Sequence, residues 1–239
     1  MKLTIIVPTL NEAGHLAASL ASLPREAEVV VADGGSTDET ISIATRFGAR
    51  IVTGSRGRAR QMNQGVDAAC GDTLLFLHAD CTLGPDAYHQ LQTALADDVV
   101  VGGSFRMSIR DASWGLRWIA ATSNARARYL TTPYGDQALF VRRGAFEKLG
   151  GFPEIPFMED VALVRKLKRL GKLVRVDETV TTGARHWQQL GSVRTTLLNW
   201  SMVTLYLLGV PAERLEPYYR RWRTTRSTSK SENVQPQAF

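Results

Sequence analysis

Four short runs govern what this chain can fold into. Residues 3–7, 28–32, 50–52 and 73–77 are rich in β-branched residues and almost wholly apolar, the pattern of strands buried on both faces. Between them, residues 12–23, 38–47 and 58–69 carry apolar positions at helical spacing. This alternation implies right-handed crossovers and a mainly parallel sheet flanked by helices, an α/β fold. In such sheets ligands bind beyond the carboxyl ends of the strands, so the loop after each run is where chemistry is expected.

The second half is less regular. Residues 99–107 read as a strand interrupted by Gly102-Gly103, and residues 138–141 as another. Helical patterns cover residues 113–130, 159–170 and 192–208. The division expected is a catalytic-type domain over residues 1–190, a helical extension over 191–223, and a disordered basic tail over 224–239. No repeat is visible.

The chain has 239 residues with 44% hydrophobic and 22% charged, which suits one well-buried domain. Its two cysteines, Cys70 and Cys81, provide neither a disulfide framework nor a cysteine-rich zinc module. A reducing, cytoplasmic setting is expected. The N-terminal apolar run stops at Pro8, too short for a signal peptide, and residues 197–210 fall short of a membrane span. Net charge is +6, yet six Lys/Arg against three acids lie beyond residue 211. No nucleic-acid motif accompanies them, so nucleic acid is not an expected partner. Residues 192–210 are apolar on most of their helical surface. The plain reading is a core or homodimer helix with a solvated tail; the sharper one is peripheral contact at the inner face of a membrane.

Three loops carry the candidate chemistry. The first strand runs into Pro8-Thr9-Leu10-Asn11-Glu12, where Pro8 ends the strand and Asn11 can cap the next helix. This loop has no Gly-x-Gly-x-x-Gly, which argues against a dinucleotide site. The second strand runs into Asp33-Gly34-Gly35-Ser36-Thr37-Asp38, where Ser36 or Thr37 can cap and Asp33 could accept a ligand N–H. The fourth ends in Leu77-His78-Ala79-Asp80, whose His and Asp can turn toward one ligand.

In order and spacing, these segments resemble the family-2 glycosyltransferases of the GT-A (Rossmann-like) fold. Gly135-Asp136-Gln137, Gly150-Gly151-Phe152 and Met158-Glu159-Asp160 extend the likeness, which covers residue 3 to about residue 186. The segment from Gly57 to Gly65, with Leu77-His78-Ala79-Asp80, is similar to the subgroup named radical-SAM/selenodomain-associated transferase 2.

The resemblance implies an inverting, divalent-metal-dependent transfer from a nucleotide-sugar donor, UDP-linked, to an acceptor hydroxyl. Pro8, Thr9, Asn11, Glu12, Asp33, Gly34, Gly35, Arg58, Gln61, His78, Ala79 and Asp80 would hold the donor, with Asp33 at the uracil edge. Asp80 matches the last carboxylate of the family's Asp-x-Asp and would hold Mn²⁺ or Mg²⁺, with His186 as a further ligand. His78 stands where that motif has its first Asp. Asp160 matches the general base, while Gly135, Asp136, Gln137 and Glu159 would meet the acceptor or donor sugar. Such transfer needs a cation for a leaving group that gains charge and a carboxylate for the acceptor proton. Asp160 at a helix start lies where the positive end of the helix dipole attracts negative charge. Two other readings stand: a nucleotidyltransferase on a related fold, and a non-catalytic sugar-nucleotide-binding protein.

Overall fold

A computed structural model describes residues 1–110, 113–129, 133–183 and 192–224. Strands β1 (Leu3–Thr9), β2 (Glu28–Asp33), β3 (Arg50–Thr53) and β4 (Thr73–Phe76) are connected by helices α1 (Ala13–Ala21), α2 (Thr40–Arg46) and α3 (Arg58–Ala68). A short β5 (Thr82–Leu83), helix α4 (Ala87–Leu95), long strand β6 (Val100–Ile109) and helix α5 (Trp114–Tyr129) follow. Next come a 3₁₀ turn (Gly135–Gln137), β7 (Leu139–Arg142), α6 (Arg143–Lys148), α7 (Glu159–Leu167) and β8 (Lys172–Thr182). Two helices, α8 (Ser192–Leu207) and α9 (Ala212–Thr224), complete the described chain.

The eight strands form one sheet in the order β3-β2-β1-β4-β7-β6-β8-β5. The pairs β2–β3, β1–β2, β1–β4 and β6–β8 are parallel, whereas β7 runs antiparallel to both β4 and β6. The sheet is therefore mixed and mostly parallel, as the repeated strand–helix order predicts. Short β5, α4 and α6 escape the periodicity argument because two to nine residues carry too little pattern.

Burial of the central strands on both faces follows from their alternation. Leu3, Ile5 and Val7 enter one apolar layer with Val31 and Leu75, beneath α1, α2 and α4. Ile6, with Val30, Ala32, Leu74 and Phe76, enters the opposite layer beneath α3, α6 and α7. Helix α3 lies close because Gly65 faces β1: a Cβ there would stand 2.5 Å from Ile6 Cγ2. This close fit brings the start of α3, with Arg58, to the carboxyl end of the sheet.

The far end of the chain is tied to the same region. Leu198, Met202 and Val203 of α8 and Leu215 of α9 pack on Met158 and Val161, which flank Glu159 and Asp160. Among the described residues, no helix is long and apolar enough to cross a membrane.

Candidate active site

The loops after β1 and β2 are clasped to each other. Asn11, in the left-handed region at φ 54°, donates its backbone N–H to Ser36 Oγ and accepts the Thr37 N–H on Oδ1. Asp38 accepts the N–H of Ala13 on one oxygen and that of Thr40 on the other, and the Thr40 hydroxyl in turn accepts the Glu12 N–H. The caps are thus exchanged between loops. Asn11 does not cap its own helix, as its position alone suggests, but orders the start of the neighbouring loop.

Asp33 is 1% exposed and accepts four hydrogen bonds. The Thr9 and Ser36 hydroxyls reach Oδ1, at 3.0 and 2.5 Å, and the Gly35 and Ser36 N–H groups reach Oδ2, both at 2.8 Å. A carboxylate has about four acceptor positions, and here the fold fills them. A base N–H at Asp33 would have to displace one of these donors. Thr9, 2% exposed, belongs to the same interior network.

Gln61 donates both hydrogens of its amide at 2.8 Å, to the Thr9 and Ala32 carbonyls, and so ties the ends of β1 and β2 together. Its amide lies against Gly34, where a Cβ would stand 3.1 Å from the carbon of that group. Ala79 contributes a buried methyl to the core. The side chains of Thr9, Asp33, Gln61 and Ala79, expected at the donor, are therefore interior parts of the loops' frame. A loop sequence alone does not say which way a polar side chain turns.

A second group faces a cleft. Arg58, Met62, Phe76, His78, Gly135, Leu139, Phe152, Glu159 and Asp160 line it together. Gly135 is the pivot: its N–H donates to Asp160 Oδ2 at 2.6 Å, and a Cβ there would stand 3.1 Å from His78 Nε2 and 3.2 Å from that same oxygen. The imidazole and the carboxylate, 82 residues apart in sequence, thus meet over one Cα. The other oxygen, Oδ1, accepts the Val161 N–H at 2.8 Å in the first turn of α7. Met158, in the left-handed region at φ 68°, opens this helix.

Glu159 forms an ion pair with Arg58 and is only 2% exposed. Crowding by the cleft walls disfavours the Arg58 cation even though its side chain is 40% exposed, but Glu159 and Asp160 beside it outweigh that effect and hold it charged. Arg58, expected near the donor, and Glu159, expected near a sugar, thus line the cleft as each other's partners. His78 is pushed down to about 4, first by burial and then by Arg58, with Asp80 and Asp160 opposing. At neutral pH its imidazole is uncharged and keeps a lone pair free for a ligand.

His78, Asp80 and Cys81 bring one potential ligand atom each within 4.8 Å of one another. Burial, reinforced by Asp80, raises the Cys81 thiol well above its usual range, so the sulfur is protonated and sits 3.6 Å from Asp80 Oδ1. The oxygen of Asp80 is the hard donor that suits Mn²⁺ or Mg²⁺, with the neutral nitrogen of His78 beside it.

Asp136 is pushed up to about 6, chiefly by burial; Arg126 opposes the rise and Asp160 adds to it. Its buried Oδ1 has no hydrogen-bond partner among the described residues. Gln137, expected to meet a sugar, is 0% exposed and turns Oε1 back to Arg126 and to the Tyr134 N–H. Arg126 also lies over the Tyr134 ring, 3.3 Å from its centre. Arg126 and Tyr134 are absent from the sequence-derived site because nothing in the α5 pattern sets one arginine apart from another. His186 lies outside the described residues.

Residues 4–150 match the family model for glycosyl transferase family 2. A PGL/p-HBAD biosynthesis glycosyltransferase of Mycobacterium bovis (strain BCG / Pasteur 1173P2) is 36% identical over 165 residues, 62% of each chain. A 4,4'-diaponeurosporenoate glycosyltransferase of Staphylococcus aureus (strain USA300) is 38% identical over 100 residues, 37% of this chain and 27% of that one. The chain thus aligns with less than two thirds of the length of these relatives. Among solved structures, a mannosyltransferase from Pyrobaculum calidifontis, in complex with GDP-Man and Mn²⁺, superposes with a TM-score of 0.66 at 23% identity, over 93% of this chain and 69% of that one. S. aureus TarS in complex with UDP gives a TM-score of 0.62 at 18% identity, over 77% and 60%. The mixed sheet is therefore that of the GT-A glycosyltransferases. With most of the sheet and the loops after β1, β2 and β4 inside the matched segment, the chain belongs to glycosyl transferase family 2.

Proposed function

We propose that the protein is an inverting glycosyltransferase that moves a sugar from a nucleotide-diphosphate donor, UDP-linked, to an acceptor hydroxyl. The observation that carries this reading is the meeting of His78 and Asp160 over Gly135, beside Asp80 and at the carboxyl end of the parallel strands. Family membership supports it, as do fold neighbours bound to UDP, UDP-GlcNAc or GDP-Man.

In this reading Asp160 takes the acceptor's proton as its oxygen attacks the anomeric carbon. The bond to the donor's phosphate oxygen breaks, and the electron pair leaves with the nucleoside diphosphate. One base opposite the leaving group gives a single displacement and inversion. The Gly135 N–H and the first turn of α7 hold Asp160 in place, so its orientation does not depend on substrate. Arg58, fixed by Glu159, sets a positive charge beside the cleft, where a diphosphate gains charge on leaving. Asp80 would hold a divalent cation with the neutral His78 at its side, and that cation would neutralise the diphosphate. Relatives named for a diaponeurosporenoate and for PGL/p-HBAD biosynthesis leave the acceptor here to be found by experiment.

The test is a thermal-shift panel of UDP-, GDP-, CDP- and TDP-sugars with Mn²⁺ or Mg²⁺, followed by nucleotide-release assays on the stabilising donor. Metal-dependent stabilisation by a UDP-sugar, with UDP as the released product, is expected. Release of inorganic diphosphate would instead favour the nucleotidyltransferase reading. Stabilisation with no turnover on any acceptor or on water would favour a binding protein, for which His78 in the metal motif is the specific argument.

A further inference from the structure

Helices α5, α8 and α9 pack together behind residues that neighbour the cleft lining. α8 and α9 pack on Met158 and Val161 next to Asp160, α5 packs beside α8, and Arg126 of α5 reaches Tyr134 next to Gly135. A helix lying on a globular core ordinarily turns its polar side to water. Here the outward stripe of α5 carries Trp114, Trp118 and Tyr129, at 85, 52 and 78% exposure. The outward side of α8 carries Leu197, Trp200 and Leu205, with Leu208 just past its end.

The charge of α5 and α8 has one sign. Between them α5 and α8 contain four arginines and no acid. With α9 the three hold eight arginines and two glutamates, so they account for the whole +6 of the chain. Arg117 and Arg128 lie on the same exposed stripe as the α5 aromatics.

We propose that this helical face docks on an anionic phospholipid bilayer, with the tryptophans at headgroup depth and the arginines on lipid phosphates. Charge selects this occupant. A second copy meeting the face symmetrically would set the exposed Arg117 and Arg128 of one copy against those of the other, with no acid on α5 or α8 to offset them. Aromatic rings interleaved with arginine, on helices that do not span, suit an interface between water and hydrocarbon. Docking is independent of the transferase reading, although it would bring the cleft beside the lipid surface.

The test is co-sedimentation of the full chain with phosphatidylcholine vesicles, with and without roughly a third phosphatidylglycerol. Tryptophan emission is followed in parallel. Binding and a blue shift with anionic vesicles only, reversed by salt, are expected. Arg117→Gln with Arg128→Gln should weaken binding about 25-fold, about fivefold for each charge near the surface. Trp114→Ser with Trp118→Ser should shrink the blue shift to the part carried by Trp200, while the melting temperature stays nearly unchanged, since more than half of each ring is exposed. The proposal is overturned if the chain stays in the supernatant, if neutral vesicles bind it equally, or if the tryptophan pair is replaced without effect. It is also overturned if sedimentation velocity shows a dimer that the tryptophan variant splits and vesicles bind neither form.

Discussion

Asp160→Asn is the substitution in which the proposed chemistry and the local architecture can be separated by magnitude. The Asp160 carboxylate accepts two backbone N–H groups, one on each oxygen: Gly135 at 2.6 Å and Val161 at 2.8 Å. Asparagine has one oxygen, so whichever way its amide turns, one of these donors faces an NH₂ group. Val161 is 5% exposed, so water cannot freely replace the lost acceptor there. Leaving one such group unsatisfied costs about 1–3 kcal/mol. With a urea slope near 2 kcal/mol per molar, the midpoint should fall by about 0.5–1.5 M.

Loss of the base acts on a different scale. A positioned proton acceptor is worth about 10²–10⁴-fold in rate, and that loss should appear in turnover with donor affinity nearly unchanged. Single-turnover transfer at saturating donor, measured well below the unfolding midpoint, reads it directly. A folded Asp160→Asn enzyme with near-normal transfer would refute the base assignment and move suspicion to Asp136. Unchanged urea stability would refute the hydrogen-bond geometry instead, leaving the kinetic question intact.

Three further outcomes are expected. Asp80→Ala should lose Mn²⁺-dependent UDP binding by calorimetry while remaining folded, and His78→Ala should lose less; unchanged affinity in Asp80→Ala would remove the metal from that loop. Arg58→Ala leaves Glu159 charged at 2% exposure and should cost about 2–3 kcal/mol, below the about 3–5 of a fully buried pair because Arg58 is 40% exposed. Adding Glu159→Gln should restore part of that stability, and no recovery in the double variant would mean the pair is not coupled. Asp33→Asn should lower the melting temperature, since a neutral amide replaces a carboxylate that accepts four donors, and nucleotide affinity should fall only as far as the loop loosens. Full stability with nucleotide binding abolished would restore Asp33 to direct contact with the base.

The sheet was legible because burial on two faces leaves a plain record: Ile5 and Ile6 are both apolar although they enter opposite layers. Turning the chain at β7 was not, since Leu139–Arg142 reads the same in either direction and only its pairing with β4 and β6 fixes it. Among the candidate site residues, those that differ from the expectation share one physical feature. Thr9 and Asp33 end strands and Gln61 reaches those ends from α3, and a strand end must satisfy its own donors and acceptors before it can serve a ligand. Their side chains turn inward and do so. Ala79 turns inward for the opposite reason, because its methyl belongs to the core.

The residues that face the cleft obey a different constraint. Glu159 and Arg58 neutralise each other across 101 positions of sequence, and Asp160 meets Gly135 across 25, so no local window contains either relation. The motif Met158-Glu159-Asp160 marks two acids at a helix start, which the helix dipole alone would explain. What separates the two is the partner of each. Glu159 is paired with a cation, whereas both Asp160 oxygens rest on neutral N–H donors, and Oδ2 lies over Gly135 beside His78. In the proposed mechanism, the division between a structural acid and a reactive one is thus set by long-range packing of α3 and the 3₁₀ turn against α7. A substitution that shifts either neighbour, such as Gly135→Ala with its Cβ 3.1 Å from His78 Nε2, should impair transfer without touching a charged group.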